Sequence, residues 1–417
     1  MGRPFLLACA ALLMAATPAH AARRYDVDYL VRFRPAQEAA RVTVAVAPGT
    51  GRPTRMDFAM DPARYVVRSA DGALERDGET LTWHVPHEGG RLEYDYRIGT
   101  QRENGAYDSR ITDEWVVLRG DDLVPPARVR ATIGSRSRSR LRFELPEGWR
   151  HVATPYEKRD GEWIVSDPGR RFDRPVGWMI AGDVGIQREQ VDGMEVVVAA
   201  PREDAAARED VVAMLDRALP EARAAFPVLP RKLLIVRAGD PMWRGGLSAP
   251  RSFWLHADRP VVDHDGTSPV LHELTHATTR LRAEPGADWI VEGVAEYYSL
   301  ELRRRSGALG AARHARIVAG LERRARHVTS LHTSRSSGAR TASAVLLLQR
   351  LDGEIRERSG GRHDIDDLVS ELVAIGKVST GDIERIAAGL IGAPARTLET
   401  PLLARRAHGA ADGAVAP

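Results

Sequence analysis

Apolar and polar positions alternate in short runs through the first part of the chain. Tyr25, Val27, Tyr29, Val31 and Phe33 alternate with Asp26, Asp28, Leu30 and Arg32. Leu92, Tyr94, Tyr96 and Ile98 alternate with Glu93, Asp95 and Arg97, and Leu141, Phe143 and Leu145 with Arg142 and Glu144. A period of two turns one face of a strand to a core and the other to water. Gly and Pro punctuate these runs, as in "APGTGRP" and "HEGG", which marks turns between them. Many short strands from Tyr25 to about Gly185 predict an antiparallel β-sandwich. The basic run "SRSRSRLR", Ser135 to Arg142, reads as an exposed loop entering a strand.

Beyond Gly185 the pattern changes. Glu203 to Phe226 is rich in Ala, Leu, Met and Arg and predicts a helix. Lys232–Val236 and Arg251–His256 read as short strands, and Pro269 to about Leu390 is mostly helical. After Thr400 the chain is Ala-, Gly- and Arg-rich, and a frayed tail is expected there. The fold class is therefore α+β multidomain. A β-sandwich spans residues 22–185, an α/β and helical domain spans 186–400, and a flexible tail spans 401–417.

Composition narrows this picture. The chain has 417 residues, 43% of them hydrophobic, which suits two or three domains with real cores. The formal net charge is only +3, and Lys158, Lys232 and Lys377 are the only lysines among many arginines. Such a balance offers no basic stripe for nucleic acid. At the N-terminus, Arg3, an apolar run from Phe5 to Ala16 and Ala19-His20-Ala21 form the three parts of a secretory leader, residues 1–21. Export to the periplasm or the medium is expected. Cys9 is the only cysteine, so the mature chain would hold no disulfide and would depend on its core or on metal. No later segment is apolar enough to span a bilayer.

The candidate chemistry lies in "SPVLHELTHATTR", Ser268 to Arg280. Ser268 suits a helix N-cap and Pro269 the first turn, with Val270, Leu271, Leu274 and Ala277 as interior residues. His272 and His276 then lie one turn apart on one face and can reach one metal ion. Glu273 stands beside them, placed to take a proton from water. Downstream, "DWIVEGVAEYY", Asp288 to Tyr298, predicts a second helix capped by Asp288 and carrying Glu292, with fifteen residues between His276 and Glu292. Two histidines and a glutamate leave a fourth zinc position open, the pattern of a catalytic site. Glu296, one turn further, can accept the free ring N–H of a ligand histidine. The plain alternative is a solvated helix face, which Trp289, Val291, Val294, Tyr297 and Tyr298 argue against.

"LHELTHATT" followed by "WIVEGVAEYY" resembles the gluzincin zinc peptidases, and within them the glycyl aminopeptidase family and its bacterial relatives. The similarity runs from Gly245 to about Leu372. It implies an N-terminal β-domain, a thermolysin-like catalytic domain, a zinc cofactor and peptide or protein substrates. Residue by residue it implies His272, His276 and Glu292 as ligands and Glu273 as general base. It also implies Gly245, Gly246, Leu247 and Ser248 as part of a substrate-binding edge strand.

Three departures accompany the resemblance. A PDZ domain, often found in the family, is not expected here. Ser248-Ala249 stands where aminopeptidases commonly carry a glutamate for the substrate's amine. No tyrosine follows Tyr298, whereas related enzymes place one near the helix expected here from about Ala339, to polarise the scissile carbonyl. Arg340 is the expected substitute, with His332 as second choice. The missing tyrosine also keeps a rival open: a catalytically inactive, still zinc-binding domain joined to a β-sandwich interaction module.

Overall fold

A computed structural model describes residues 23–404 except 168–169, 203 and 205–208. The expected leader and the tail beyond residue 404 lie outside the described residues. The tail does not fray at Thr400: Pro401–Leu403 forms a 3-10 turn with Leu403 buried, and Leu331 N–H donates to the Leu402 carbonyl at 2.8 Å.

The first part of the chain is β-rich. Strands β1 (Arg23–Arg34), β2 (Ala39–Ala47), β3 (Gly90–Arg97) and β4 (Ser135–Glu144) are neighbours in the order β4-β1-β2-β3 within a seven-stranded sheet. Four- and five-stranded antiparallel sheets join it around a core of Val27, Tyr29, Val42, Phe58, Trp83 and Tyr94. The alternation read from the sequence is the burial pattern: Tyr25, Val27, Tyr29 and Val31 are buried and their neighbours are not.

Two details differ from expectation. β1 and β4 pair in parallel, because β4 arrives after a long excursion and not through a hairpin. The run "SRSRSRLR" is strand β4 itself and not a loop. Ser135, Ser137 and Ser139 point inward, and the arginines point outward. Arg138 and Arg140 stand opposite Asp26 and Asp28 in the parallel register and hold them at 2.5 and 2.8 Å. Opposed charges at facing positions stabilise a pair of strands, so the charge run has a local partner for its two middle arginines.

The second part is a mixed sheet covered by helices. β5 (Val184–Val191), β6 (Met194–Pro201), β7 (Lys232–Ala238), β8 (Gly246–Ala249) and β9 (Ser252–His256) take the order β5-β6-β7-β9-β8. β6, β7 and β9 run parallel, and β8 returns antiparallel to β9 as the edge strand. The helices are α1 (Glu209–Ala225), α2 (Pro269–Thr279), α3 (Asp288–Arg305), α4 (Ala311–Ala325), α5 (Ala339–Arg358), α6 (Ile365–Ile375) and α7 (Thr380–Ile391). Their core includes Val196, Leu233, Leu255, Leu274, Trp289, Tyr298 and Leu348. No helix among the described residues is long and apolar enough to cross a membrane.

A third apolar cluster joins the two parts. Trp115, Val117, Trp178 and Ile180 of the first pack with Val197, Leu234, Val236 and Trp254 of the second. Trp178 Nε1–H donates to the Leu247 carbonyl at 2.7 Å, and its backbone N–H donates to Ser252 Oγ at 2.8 Å. The β-rich part thereby fixes the β8–β9 hairpin from behind.

Candidate active site

Helix α2 forms as its sequence predicts. Ser268 is the N-cap, with extended backbone, and its hydroxyl accepts Leu271 N–H at 3.4 Å; Pro269 follows at the first helical position. Val270, Leu271, Leu274 and Ala277 are buried, which turns His272 and His276 together toward a cleft of about 790 Å³. Asp288 is not the cap of α3. It is the first helical residue after Ala287, and its Oδ2 accepts Ser336 N–H at 2.5 Å from a distant loop. That contact takes the carboxylate away from the helix's own N–H groups.

The helices α2 and α3 pack together and bring His272, His276 and Glu292 to one point, their ligand atoms all within 4.8 Å of one another. The two Nε2 atoms are 3.1 Å apart. Glu292 lies 3.5 Å from each, through Oε2 to His272 and Oε1 to His276. A tetrahedral zinc with bonds of about 2.0–2.1 Å separates its donor atoms by roughly 3.3 Å. The separations, 3.1 Å between the nitrogens and 3.5 Å from each nitrogen to one oxygen of Glu292, are close to that spacing, and the donor types suit zinc. Glu296 Oε2 lies 3.0 Å from His272 Nδ1, which leaves Nε2 free for the metal position and fixes the ring.

The titration behaviour follows from this crowding. Burial alone would lower the His272 pKa, but its contacts with the Glu292 and Glu296 carboxylates push it up to about 10. Burial and the neighbouring His272 charge push His276 down to about 4. The two imidazoles are thus pushed in opposite directions, and a divalent cation held between them would compete with protons for the same nitrogens. Glu273 is 8% exposed, and burial pushes its pKa up to about 7. Burial also raises Glu292, yet His272, His276 and Arg335 bring it below the ordinary range.

The facing wall is strand β8. Gly245, Gly246, Leu247 and Ser248 all line the cleft. A Cβ on Gly246 would stand 2.7 Å from Glu273 Oε1, so any larger residue would push the Glu273 carboxylate from its present position. The Ser248 backbone also acts on Glu273, partly offsetting the upward effect of burial.

Arg340 and His332 are not brought together with this site. Arg340 is exposed in the first turn of α5 and is absent from the cleft lining, as is His332. His332 packs on Gly286, where a Cβ would lie 2.3 Å from its Nδ1. The helix starts where expected, and Thr341 and Ala342 of its first turn line the cleft, but Arg340 between Ala339 and Thr341 does not. Arg335 and Ser336 of the preceding loop line the cleft instead. Sequence reading missed them because an arginine among serines, in a chain this rich in arginine, carries no periodic or motif signal.

No protein-family model matches the chain, and no curated protein does. Solved structures do match. An aminopeptidase N family protein from Idiomarina loihiensis superposes with a TM-score of 0.61 at 12% identity, over 84% of this chain and 70% of its own. An M1 zinc metallopeptidase from Deinococcus radiodurans gives 0.57 at 16% identity, over 92% and 94%. Legionella pneumophila aminopeptidase A gives 0.51 at 12% identity, over 92% of this chain and 50% of its own. At such identities the likeness is one of fold, and this chain has the fold of the M1 zinc metallopeptidases.

Proposed function

We propose that this protein is an exported zinc metallopeptidase of the gluzincin class, acting on peptide bonds in the periplasm or the medium. The observation that carries the reading is the donor triangle of His272, His276 and Glu292 with Glu273 beside it, at the floor of a cleft walled by an open strand edge. The residues divide into 22–185, a β-sandwich support, and 186–400, the peptidase domain.

Zinc bound to the triangle would supply a Lewis acid and a nucleophile at neutral pH. Glu296 orients His272 through Nδ1. Glu273 accepts the proton of the attacking water and delivers it to the leaving amine. Its carboxyl is buried beside the ligand set and faces strand β8, within reach of a water held there. β8 pairs with β9 on one side and ends the sheet on the other. An extended peptide can add to that free edge through its main chain.

The motifs favour the glycyl aminopeptidase group within the class. Ser248 and Ala249 in place of an acidic residue point to cleavage that does not require a free N-terminus. A digest of a peptide library by the native protein and by Glu273→Gln tests the hydrolase. Cleavage by the first alone is expected, with zinc content equal in both. Equal cleavage by both, or by neither, sinks the reading.

A further inference from the structure

Four arginines line the cleft, and three are already engaged. Arg244 faces Asp240, Arg259 faces Asp263 and Arg324 faces Asp265. Arg335 has no ion-pair partner among the described residues, although it lines the same cleft as His272, His276 and Glu292. Arg335 is exposed, as Arg340 is; what sets it apart is its place on the cleft wall, with its charge acting on the ligand Glu292.

The loop that carries Arg335 is fixed to the helix that carries Glu292. Ser336 N–H donates to Asp288 Oδ2 at 2.5 Å. Thr333 bridges to Ala287 as an isolated parallel pair. Thr333 Oγ1 accepts Arg335 N–H at 3.2 Å and donates to the Arg335 carbonyl at 3.0 Å. Ala287 and Asp288 open α3, one turn before Glu292. The loop is thus registered against the metal-ligand helix at two points. The Arg335 charge is felt at Asp288 and at Glu292.

Beside it lies an independent sign of a missing partner. Ser336 is 5% exposed, its Oγ has no hydrogen-bond partner among the described residues, and it lines the cleft. A buried hydroxyl left unpaired costs free energy, and buried polar groups are seldom left so without a functional reason.

We propose that Arg335 and the Ser336 hydroxyl are the donors that receive the scissile carbonyl oxygen as its charge develops. The proposal rests on the peptidase reading and adds to it the group that the missing tyrosine leaves open. Water oxygen bonds to the carbonyl carbon and its proton passes to Glu273. The carbonyl π pair moves onto oxygen, whose negative charge Arg335 and Ser336 then share. When that pair returns, the C–N bond breaks and the amine leaves with the proton. A guanidinium is always charged and offers five N–H donors, so it serves at any pH where the base works.

A cleft arginine also suits a carboxylate on the substrate. The two roles separate kinetically. Recognition of a fixed charge acts equally in ground and transition states and moves KM, whereas a donor to the developing oxyanion moves kcat.

The test uses the full-length, zinc-loaded protein and its Arg335→Ala, Arg335→Lys and Ser336→Ala variants. Metal content is measured for each. Calorimetry compares a phosphinic peptide, which mimics the tetrahedral state, with the matching product peptide. Arg335→Ala is expected to lose about 10²–10³-fold in kcat and a similar factor in phosphinic-peptide affinity. Its zinc content and product-peptide affinity should hold. Arg335→Lys recovers part of the loss, and Ser336→Ala loses roughly 10-fold. Native phosphinic-peptide affinity in Arg335→Ala at full zinc overturns the assignment. So does a rise in KM confined to substrates bearing a carboxylate. If the native protein cleaves no peptide the hydrolase reading fails, and the phosphinic titration still decides Arg335 by itself.

Discussion

The helical wall of the cleft and the wall facing it are held by different kinds of contact. On the helical side, His272 and His276 share a face because they are four residues apart in one helix. Glu292 and Glu296 do so for the same reason in the next. Their apolar neighbours bury the opposite faces of α2 and α3. On the facing side, β8 is four residues long. It is positioned by Trp178, whose indole N–H reaches Leu247 from some seventy residues earlier in the chain. The loop of Arg335 is positioned by Asp288 across a gap of 48 residues. One wall follows from local periodicity and the other from long-range contacts, so injury to each should look different. Damage to the helices should remove metal, and damage to the facing side should spare metal and weaken turnover or substrate binding.

The largest effect should follow from His276→Ala. Removing one of three protein ligands is expected to weaken zinc binding by more than ~100-fold, since partners one layer further out already cost 10–100-fold. Metal analysis after dialysis reads this directly, and full zinc in the variant would break the comparison on its helical side. Next comes Asp288→Ala, which cuts the loop of Arg335 loose while leaving the three ligands in place. A fall of roughly 10-fold or more in kcat is expected, the equivalent of a charge-assisted hydrogen bond of about 1.5–3 kcal/mol. Zinc content should not change. Metal loss matching that of His276→Ala would show that the two walls are not separable.

A smaller effect is expected from Trp178→Phe, which keeps most of the apolar bulk but removes the donor to Leu247. kcat/KM should fall by about 2–10-fold, in keeping with one neutral hydrogen bond, again at full zinc. Unchanged kinetics would mean that β8 does not depend on the β-rich half. The smallest difference should appear between N-acetylated and free forms of one peptide. With Ser248 and Ala249 on the edge strand and no acidic residue within Gly246–Ala249 itself, the two rates should agree within about 2-fold, a difference worth no more than ~0.4 kcal/mol. A strong preference for the free amine would place a recognition group elsewhere in the cleft.

Local chemistry along the chain specified much of this molecule. The alternation of Tyr25 to Phe33 became strand β1, Ser268-Pro269 became a helix start, and the spacing of His272, Glu273, His276, Glu292 and Glu296 put the candidate metal site on two faces. These are short-range facts, because helix and strand periods convert sequence spacing directly into direction. Three features could not be obtained that way. The direction of β4 depends on a partner more than a hundred residues away, so an arginine-serine run that looks like a loop is a paired strand. Asp288 binds a distant backbone N–H in place of its own helix. Arg335 enters the cleft while Arg340, five residues on, does not. Each turns on which groups meet across the fold, where pairing and desolvation reward one contact over another, and no spacing along the chain encodes that choice.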